Sequence, residues 1–411
     1  MSGLKGVIFS LRGVLVQEQF NADLFERTIR LICFLKNKGI TPVFASNSRW
    51  AFQPSGKPFE DLVRERLGDV RFYYGGDNMD YKPRSGAVGS ILEAEGWSHT
   101  QAIYVGNTES DMRTANNGRV MFLNALWHGQ HSPYGFQFDS PEDIGRFIDC
   151  LCLRLDDWFW AIEQDGLRIY ALGPFSTMSR RYEAAFDYSA GARGTAKFGI
   201  DDDHFWGRLL AARVYLSGLV GEIDYITCYP GHATTSGPPQ VETALNILAG
   251  SVRKKYLPDL ILRHTTAMKS QTARNAGQAV DVTNQLSTIH LNQLPKKGID
   301  QPPYANPPVL CGKTILVVDD FCTAGNSFEG ARAFIEAAGA RMIGLAWLKT
   351  INTDYRARVG PTPVAKAFTP MTHVPEIKTT DIWYSQNIRK QAAMNDLATT
   401  YEDYQDWSLP E

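Results

Sequence analysis

The chain has 411 residues, a formal net charge of -2, 44% apolar and 21% charged residues, which predicts a globular protein of two or three domains and shows no global basic field for nucleic acid. Its six cysteines, Cys33, Cys150, Cys152, Cys228, Cys311 and Cys322, are too sparse for a disulfide framework. The opening MSGLKGVIFS lacks signal-peptide features, and no apolar run reaches the ~18 residues that span a bilayer, so a reducing cytoplasm is the expected compartment.

From Gly6, GVIFSLRGVLV reads as a buried strand. A helix is expected from Leu24 to Asn37, where Leu24, Ile29, Ile32 and Leu35 have helical spacing and Gly39 follows. TPVFASNS and QAIYVGNTESD read as the second and third strands, with a helix from Ser85 to Glu95 between them. This alternation predicts a parallel α/β sheet, and it fades near Leu155. A second α/β block starts around Trp158, with helix His204 to Leu219, strand DYITCYP and helix Gln240 to Arg253. The polar stretch from Lys269 to Lys313 reads as a mobile loop with room for a hairpin. Strand KTILVVDD, helix Ser327 to Ala338 and strand RMIGLAWLKT follow. The tail ends in one amphipathic run, Ser385 to Tyr401, expected to be an exposed appendage open to a partner. The expected division is 1–155, 156–350 and a C-terminal extension, 351–411.

The segment Ile315 to Ser327, ILVVDDFCTAGNS, carries the strongest chemical signal. An apolar strand runs into Asp319 and Asp320, delivering two carboxylates to the sheet edge where ligands of open α/β folds bind. Gly325 lets the backbone turn around a phosphate, which the turn's N–H groups and the following helix N-terminus would hold. Thr323 and Ser327 add hydroxyls, and Ser327 is also a candidate N-cap. The acids suit ribose hydroxyls, directly or through hydrated Mg2+. The plainer reading is a strand–turn–helix with acids at its start.

The full string, followed by FEGARAFIEAAGA, resembles the phosphoribosyl-pyrophosphate (PRPP) loop of type I phosphoribosyltransferases, with Ala324 where that family usually has a second Thr. Asn326 completes the phosphate-binding turn. From Tyr170 to Thr350 the chain is most similar to the ComF-like branch. ALGPFSTMSRRYEAAFDYSAGARGTAKFG resembles its opening strand pair, ending in Lys197-Phe198. Tyr229, Pro230, Gly231 and His232 stand where the family places its pyrophosphate loop, and LILRHTTAMKSQTARNAGQAV resembles the segment ahead of the flexible catalytic loop. The resemblance implies a type I phosphoribosyltransferase α/β fold, Mg2+ as cofactor, and PRPP or a nucleoside 5′-phosphate plus an unidentified base as partners. Its chemistry is to make or break a ribose–base bond through an oxocarbenium-like state, with Lys197, Lys269 and Arg274 neutralising the leaving pyrophosphate.

The N-terminal part, roughly residues 6 to 150, resembles the haloacid dehalogenase (HAD) hydrolases on four segments: VIFSLRGVLV, VFASNS, Tyr81-Lys82-Pro83 and YVGNTESDMRTANNG. That implies a HAD-like Rossmannoid parallel sheet. Ser10 and Arg12 stand where the family has its nucleophilic and acid/base Asp residues, and Asn107 replaces a metal-binding Asp. Ser46, Asn47, Lys82 and Asp111 remain. Without the nucleophile, which also holds Mg2+, phosphatase activity is not expected. The eroded half is expected to be a scaffold, a docking surface for a protein partner or second copy, or a metal-free phosphate binder through Ser46, Lys82 and Arg12. The rival reading of the whole chain is a non-catalytic PRPP or nucleotide sensor, or an effector of a bacterial stress-response or phage-defence system. A zinc site from His128, His131, Cys150 and Cys152 is discounted, because the spacing is wrong.

Overall fold

A computed structural model describes residues 3–17, 20–51, 56–129, 132–154, 157–164, 166–176, 180–200, 204–234, 239–267 and 281–410. The first sheet is built from β1 (Gly6–Ser10), α1 (Ala22–Asn37), β2 (Thr41–Ser46), α2 (Phe59–Leu67), β3 (Arg71–Tyr74), α3 (Gly86–Glu95), β4 (Ala102–Gly106), α4 (Glu109–Asn117), β5 (Met121–Ala125) and β6 (Phe136–Phe138). Its order is β3-β2-β1-β4-β5-β6, all parallel. All five residues of β1 are buried, as expected for a central strand covered on both faces.

Two expectations are corrected here. The strand from Gly6 stops at Ser10, and residues 11–15 turn away. Gly13, at φ +80°, packs so closely on Asn107 that a Cβ would lie 2.6 Å from that side chain. Strands β3, β5 and β6 are additions to the expected set; β3 and β6, at four and three residues, are too short to show a period.

α5 (Pro141–Arg146) runs into a π-helical segment, Phe147–Leu153, and then the second sheet. This comprises β7 (Trp160–Gln164), β8 (Leu167–Phe175), α6 (Phe186–Phe198), α7 (Phe205–Leu216), β9 (Tyr225–Cys228), α8 (Pro239–Ser251), β10 (Lys255–Tyr256), the side pair β11 (Ile261–Arg263) and β12 (Ile289–Leu291) with α9 (Val282–Leu286) between them, β13 (Thr314–Cys322), α10 (Asn326–Ala337) and β14 (Arg341–Thr350). The order is β10-β9-β13-β14-β8-β7, parallel except for β7. β15 (Tyr355–Arg358), β16 (Thr379–Ile382) and α11 (Ala393–Gln405) complete the chain.

Three more expectations change. The segment from Ala171 to Gly199 is the end of one strand followed by helix α6, so Lys197 stands on a helix. The polar stretch holds α9 and β12 within its described part. The tail is no appendage: α11 buries Leu397 and Tyr404, and the rings of Tyr401 and Tyr404 meet Phe205 edge-on.

One apolar cluster runs from the first sheet into the second. Its polar seams are specific. Tyr215 donates to the carbonyls of His99 and Ala102, and the buried Arg208 binds both oxygens of Asp143, the Tyr404 hydroxyl and the Gln137 carbonyl. Among the described residues, no helix is long and apolar enough to cross a membrane.

Candidate functional site

In an open α/β sheet, the crevice at the strands' carboxyl ends forms where the chain reverses its direction of progress across the sheet. The topology creates two such points. In the first sheet β1-β2-β3 progresses one way and β4-β5-β6 the other, so the crevice lies between β1 and β4. In the second sheet β9 leads outward to β10 and β13 leads the opposite way to β14, so it lies between β9 and β13. The sequence candidates among the described residues lie around these two places.

At the first point Lys82 Nζ lies 2.8 Å from Asp111 Oδ1 and 3.1 Å from Ser10 Oγ. Tyr104, which sequence reading did not single out, donates to Asp111 Oδ1 at 3.1 Å. Asp111 Oδ2 accepts from the N–H of Asn107 and from both the N–H and hydroxyl of Thr108. Burial pushes the Asp111 carboxyl up, but Lys82 and Thr108 outweigh it and hold it below the usual range. The other candidates do not converge. Asn107 Nδ2 donates to the Ala125 carbonyl, Ser46 Oγ to the Ser48 carbonyl, and Asn47 bonds the backbone of Lys82 in both directions. Arg12 is exposed on the turn after β1. This set does not fit Mg2+: the one remaining carboxylate already accepts five hydrogen bonds, one from an ammonium. Ser10 donates to the Arg12 carbonyl while accepting from Lys82, so its hydroxyl is held as a proton donor.

At the second point Asp319 and Asp320 lie near the carboxyl end of β13, Asp319 partly and Asp320 fully buried. The N–H of Asp320 bonds Asp319 Oδ1 at 3.0 Å, and the N–H of Phe321 bonds Asp320 Oδ1 at 2.8 Å. Asp320 Oδ2 pairs with Lys197, whose side chain is half exposed. Burial and the adjacent Asp320 charge push the Asp319 carboxyl well above its usual range. Burial works against the Lys197 ammonium, yet the Asp320 charge holds it up.

The turn beyond is held by contacts at Thr323, Ala324 and Gly325. Thr323 Oγ1 meets Thr350 Oγ1 at 3.1 Å, and the Ala324 carbonyl accepts from the N–H of Arg356. Gly325 takes φ +82°, with the Tyr355 ring where a Cβ would be, at 2.1 Å. Helix α10 begins at Asn326 with Gly325 as its cap. Ser327 is therefore its second residue, which corrects the expectation that it caps. The first-turn N–H groups of α10 have no acceptor within the helix.

Across the crevice the N–H of Tyr229 bonds the Val318 carbonyl, tying the 229–232 loop to β13. Arg263, buried on β11, buttresses this loop by donating to the Gly231 carbonyl at 2.5 Å and to Thr288 and Gln285. Tyr229 donates to the same Gln285, Pro230 is half-buried, and the carbonyl of His232 accepts from Ala267. Lys269 and Arg274 lie outside the described residues. Lys349 is a functional candidate that sequence reading missed. Fully buried on β14, it donates to the carbonyls of Thr323 and Thr353, and the rings of Trp160 and Tyr384 lie 5.3 and 5.6 Å away. Its burial lowers the ammonium's pKa. The available signal was a lone Lys closing an apolar strand.

No protein-family model matches the chain, and no curated protein matches it. Several solved structures of HAD-superfamily hydrolases are similar to about a third of it, at the N-terminal end. They include a cobalt-bound deoxy-D-mannose-octulosonate 8-phosphate phosphatase from Haemophilus influenzae, at 15% identity over 36% of this chain and 88% of that one, TM-score 0.27. A HAD-superfamily hydrolase of subfamily IA from Geobacter sulfurreducens shares 14% over 34% and 98%, TM-score 0.25. A 3-deoxy-D-manno-octulosonate 8-phosphate phosphatase from Moraxella catarrhalis, in complex with magnesium, phosphate and KDO, shares 14% over 32% and 71%, TM-score 0.24.

Proposed function

We propose that the crevice between β9 and β13 binds PRPP or a nucleoside 5′-phosphate, and that the protein makes or breaks the bond between its ribose and a nitrogenous base. The observation that supports this most is the juxtaposition at one switch point of two adjacent carboxylates, a left-handed glycine turn opening a twelve-residue helix, and a braced second loop on the neighbouring strand. The turn from Thr323 to Ser327 would take the 5′-phosphate, and Asp319 and Asp320 the ribose hydroxyls.

Mg2+ fits here only as a shared ion. The two carboxylates are hard oxygen donors, and among the described residues no cluster of three or more metal-ligating side chains exists; substrate oxygens and water would complete the set, and the ion would offset charge on a departing pyrophosphate. Lys197 pairs with Asp320 and, being half exposed, is within reach of an anion entering the crevice. Lys349 and Arg263 act as positioning residues, each bonding a carbonyl of one of the two loops. The first sheet serves as a scaffold whose switch point no longer supports phosphoryl transfer.

The test is pyrophosphate release by the full chain from PRPP and MgCl2 with a panel of purine and pyrimidine bases. Release with at least one base, lost in Asp320→Asn, supports the reading. PRPP binding without release from any base would replace the enzyme by a sensor.

A further inference from the structure

The turn that would take the 5′-phosphate carries no charge of its own: Thr323, Ala324, Gly325, Asn326 and Ser327 are all neutral. The ammonium of Lys349 is committed to the carbonyls of Thr323 and Thr353, and Lys197 pairs with Asp320. A sugar phosphate carries about −1.5 to −2 near neutral pH. Its strongest complement is a cation that forms charge-assisted hydrogen bonds.

The C-terminal extension brings a cation to this place. β15 lies edge-on against the start of α10: the N–H of Arg356 bonds the Ala324 carbonyl at 2.9 Å, and the N–H of Arg358 bonds Glu329 Oε2 at 3.0 Å. Successive side chains of a strand alternate between its faces. Tyr355 turns inward, where its ring packs against Gly325 and its hydroxyl donates to Glu329 Oε1. Arg356 turns the other way, with 43% of its side chain exposed. Arg358 shares that face and reaches Glu336, in the last turn of α10. Arg356 stands at the other end of the same helix, beside the opening turn whose first N–H groups have no acceptor within the helix. Its Nε lies 3.5 Å from Oδ1 of Asp381, its cross-strand neighbour on β16, whose side chain is 60% exposed. An ion pair this exposed contributes little, so it opens readily.

We propose that Arg356 is a ligand of the 5′-phosphate, paired with Asp381 in the free protein and transferred to the phosphate in the complex. The proposal rests on the reading of the β9–β13 crevice given above and adds to it a residue from outside the second sheet. The planar guanidinium fork matches two phosphate oxygens, which a lysine in its place would not.

Calorimetric titration of the full chain with ribose 5-phosphate and, separately, with pyrophosphate in MgCl2 tests this. Arg356→Gln should weaken ribose 5-phosphate about tenfold, equivalent to about 1.4 kcal/mol, and leave pyrophosphate affinity unchanged. Arg356→Lys, which keeps the charge and loses the fork, should fall between the two. Asp381→Asn frees the guanidinium and should tighten ribose 5-phosphate by about two- to threefold. The proposal is overturned if Arg356→Gln leaves ribose 5-phosphate affinity unchanged or weakens both ligands equally. It is also overturned if Asp381→Asn weakens binding as Arg356→Gln does, which would make the pair a brace for the β15–β16 hairpin. Failure of the wild type to bind either ligand is a separate result: it removes the reading of the crevice itself, and this proposal with it.

Discussion

The molecule contains the same architectural device twice, and the two copies have opposite electrostatics. Between β1 and β4 a single carboxylate, Asp111, is matched by a single ammonium, Lys82, with the side chains 1% and 9% exposed. Two hydroxyls and three backbone or side-chain donors from Asn107 and Thr108 close the network. Between β9 and β13 two carboxylates share one half-exposed ammonium, and one of them is held above its ordinary pKa by burial and by its neighbour. The first arrangement is satisfied from within; the second carries an electrostatic excess that a cation or a hydroxyl-bearing ligand would relieve. A switch point supplies a place for chemistry, and the charge balance of a few side chains decides whether that place is structural or reactive.

Substitutions should separate the two points by which property fails. The largest stability effect is expected for Lys82→Met, which strands Asp111 in the interior: a loss of about 3–5 kcal/mol in denaturant unfolding. If the loss is under 1 kcal/mol, the first point is not the closed structural network described. Asp111 also sets an acid limb. Its folded pKa is depressed, so its contribution is fully present above the ordinary carboxylate range and is lost as pH falls through the folded value.

Next in size, Lys349→Met strips two carbonyls of their donor and should cost about 2–4 kcal/mol while loosening the Thr323 turn. A stability loss without any change in ligand affinity would remove Lys349 from its positioning role. Lys197→Met removes the half-exposed partner of the buried Asp320 and should weaken PRPP affinity, measured by calorimetry.

The smallest effect has the opposite sign. The folded pKa of Asp319 is raised, so the folded state retains its proton longer than the unfolded state. Stability therefore falls as pH rises from the ordinary carboxylate range through the folded value. Asp319→Asn should raise Tm at neutral pH by on the order of 2 °C, and the gain should shrink as pH is lowered toward 4. A gain independent of pH would mean that the like-charge account of the pair is wrong.

The sequence exposed the parts of this arrangement that are local. ILVVDDFCTAGNS carries its strand, turn glycine and helix start within thirteen residues, and Thr314–Cys322 and Asn326–Ala337 follow that reading to within a residue or two, Ser327 capping apart. The two buried central strands of the first sheet, TPVFAS and AIYVG, were equally plain. What stayed hidden depends on partners far away in the chain. Tyr104 is one more apolar strand residue until Asp111 folds beside it, and Arg263 acquires a role only when Gly231 and Gln285 converge on it. The amphipathic tail looked like an appendage because its apolar stripe has no visible partner in sequence; Phe205 and Trp206 supply one across nearly two hundred residues. Similarly, the Ala171–Gly199 segment disguised helix α6 because its four glycines and its aromatics fit a strand pair equally well.

The most direct test of the central claim is a calorimetric titration of the full chain with PRPP in MgCl2, comparing wild type, Asp320→Asn and Ser10→Ala. One site is predicted in wild type, undisturbed by Ser10→Ala and weakened at least roughly tenfold by Asp320→Asn, as expected for losing one charge-assisted contact. Binding that survives Asp320→Asn but disappears with Ser10→Ala would contradict the account and assign the ligand to the first sheet.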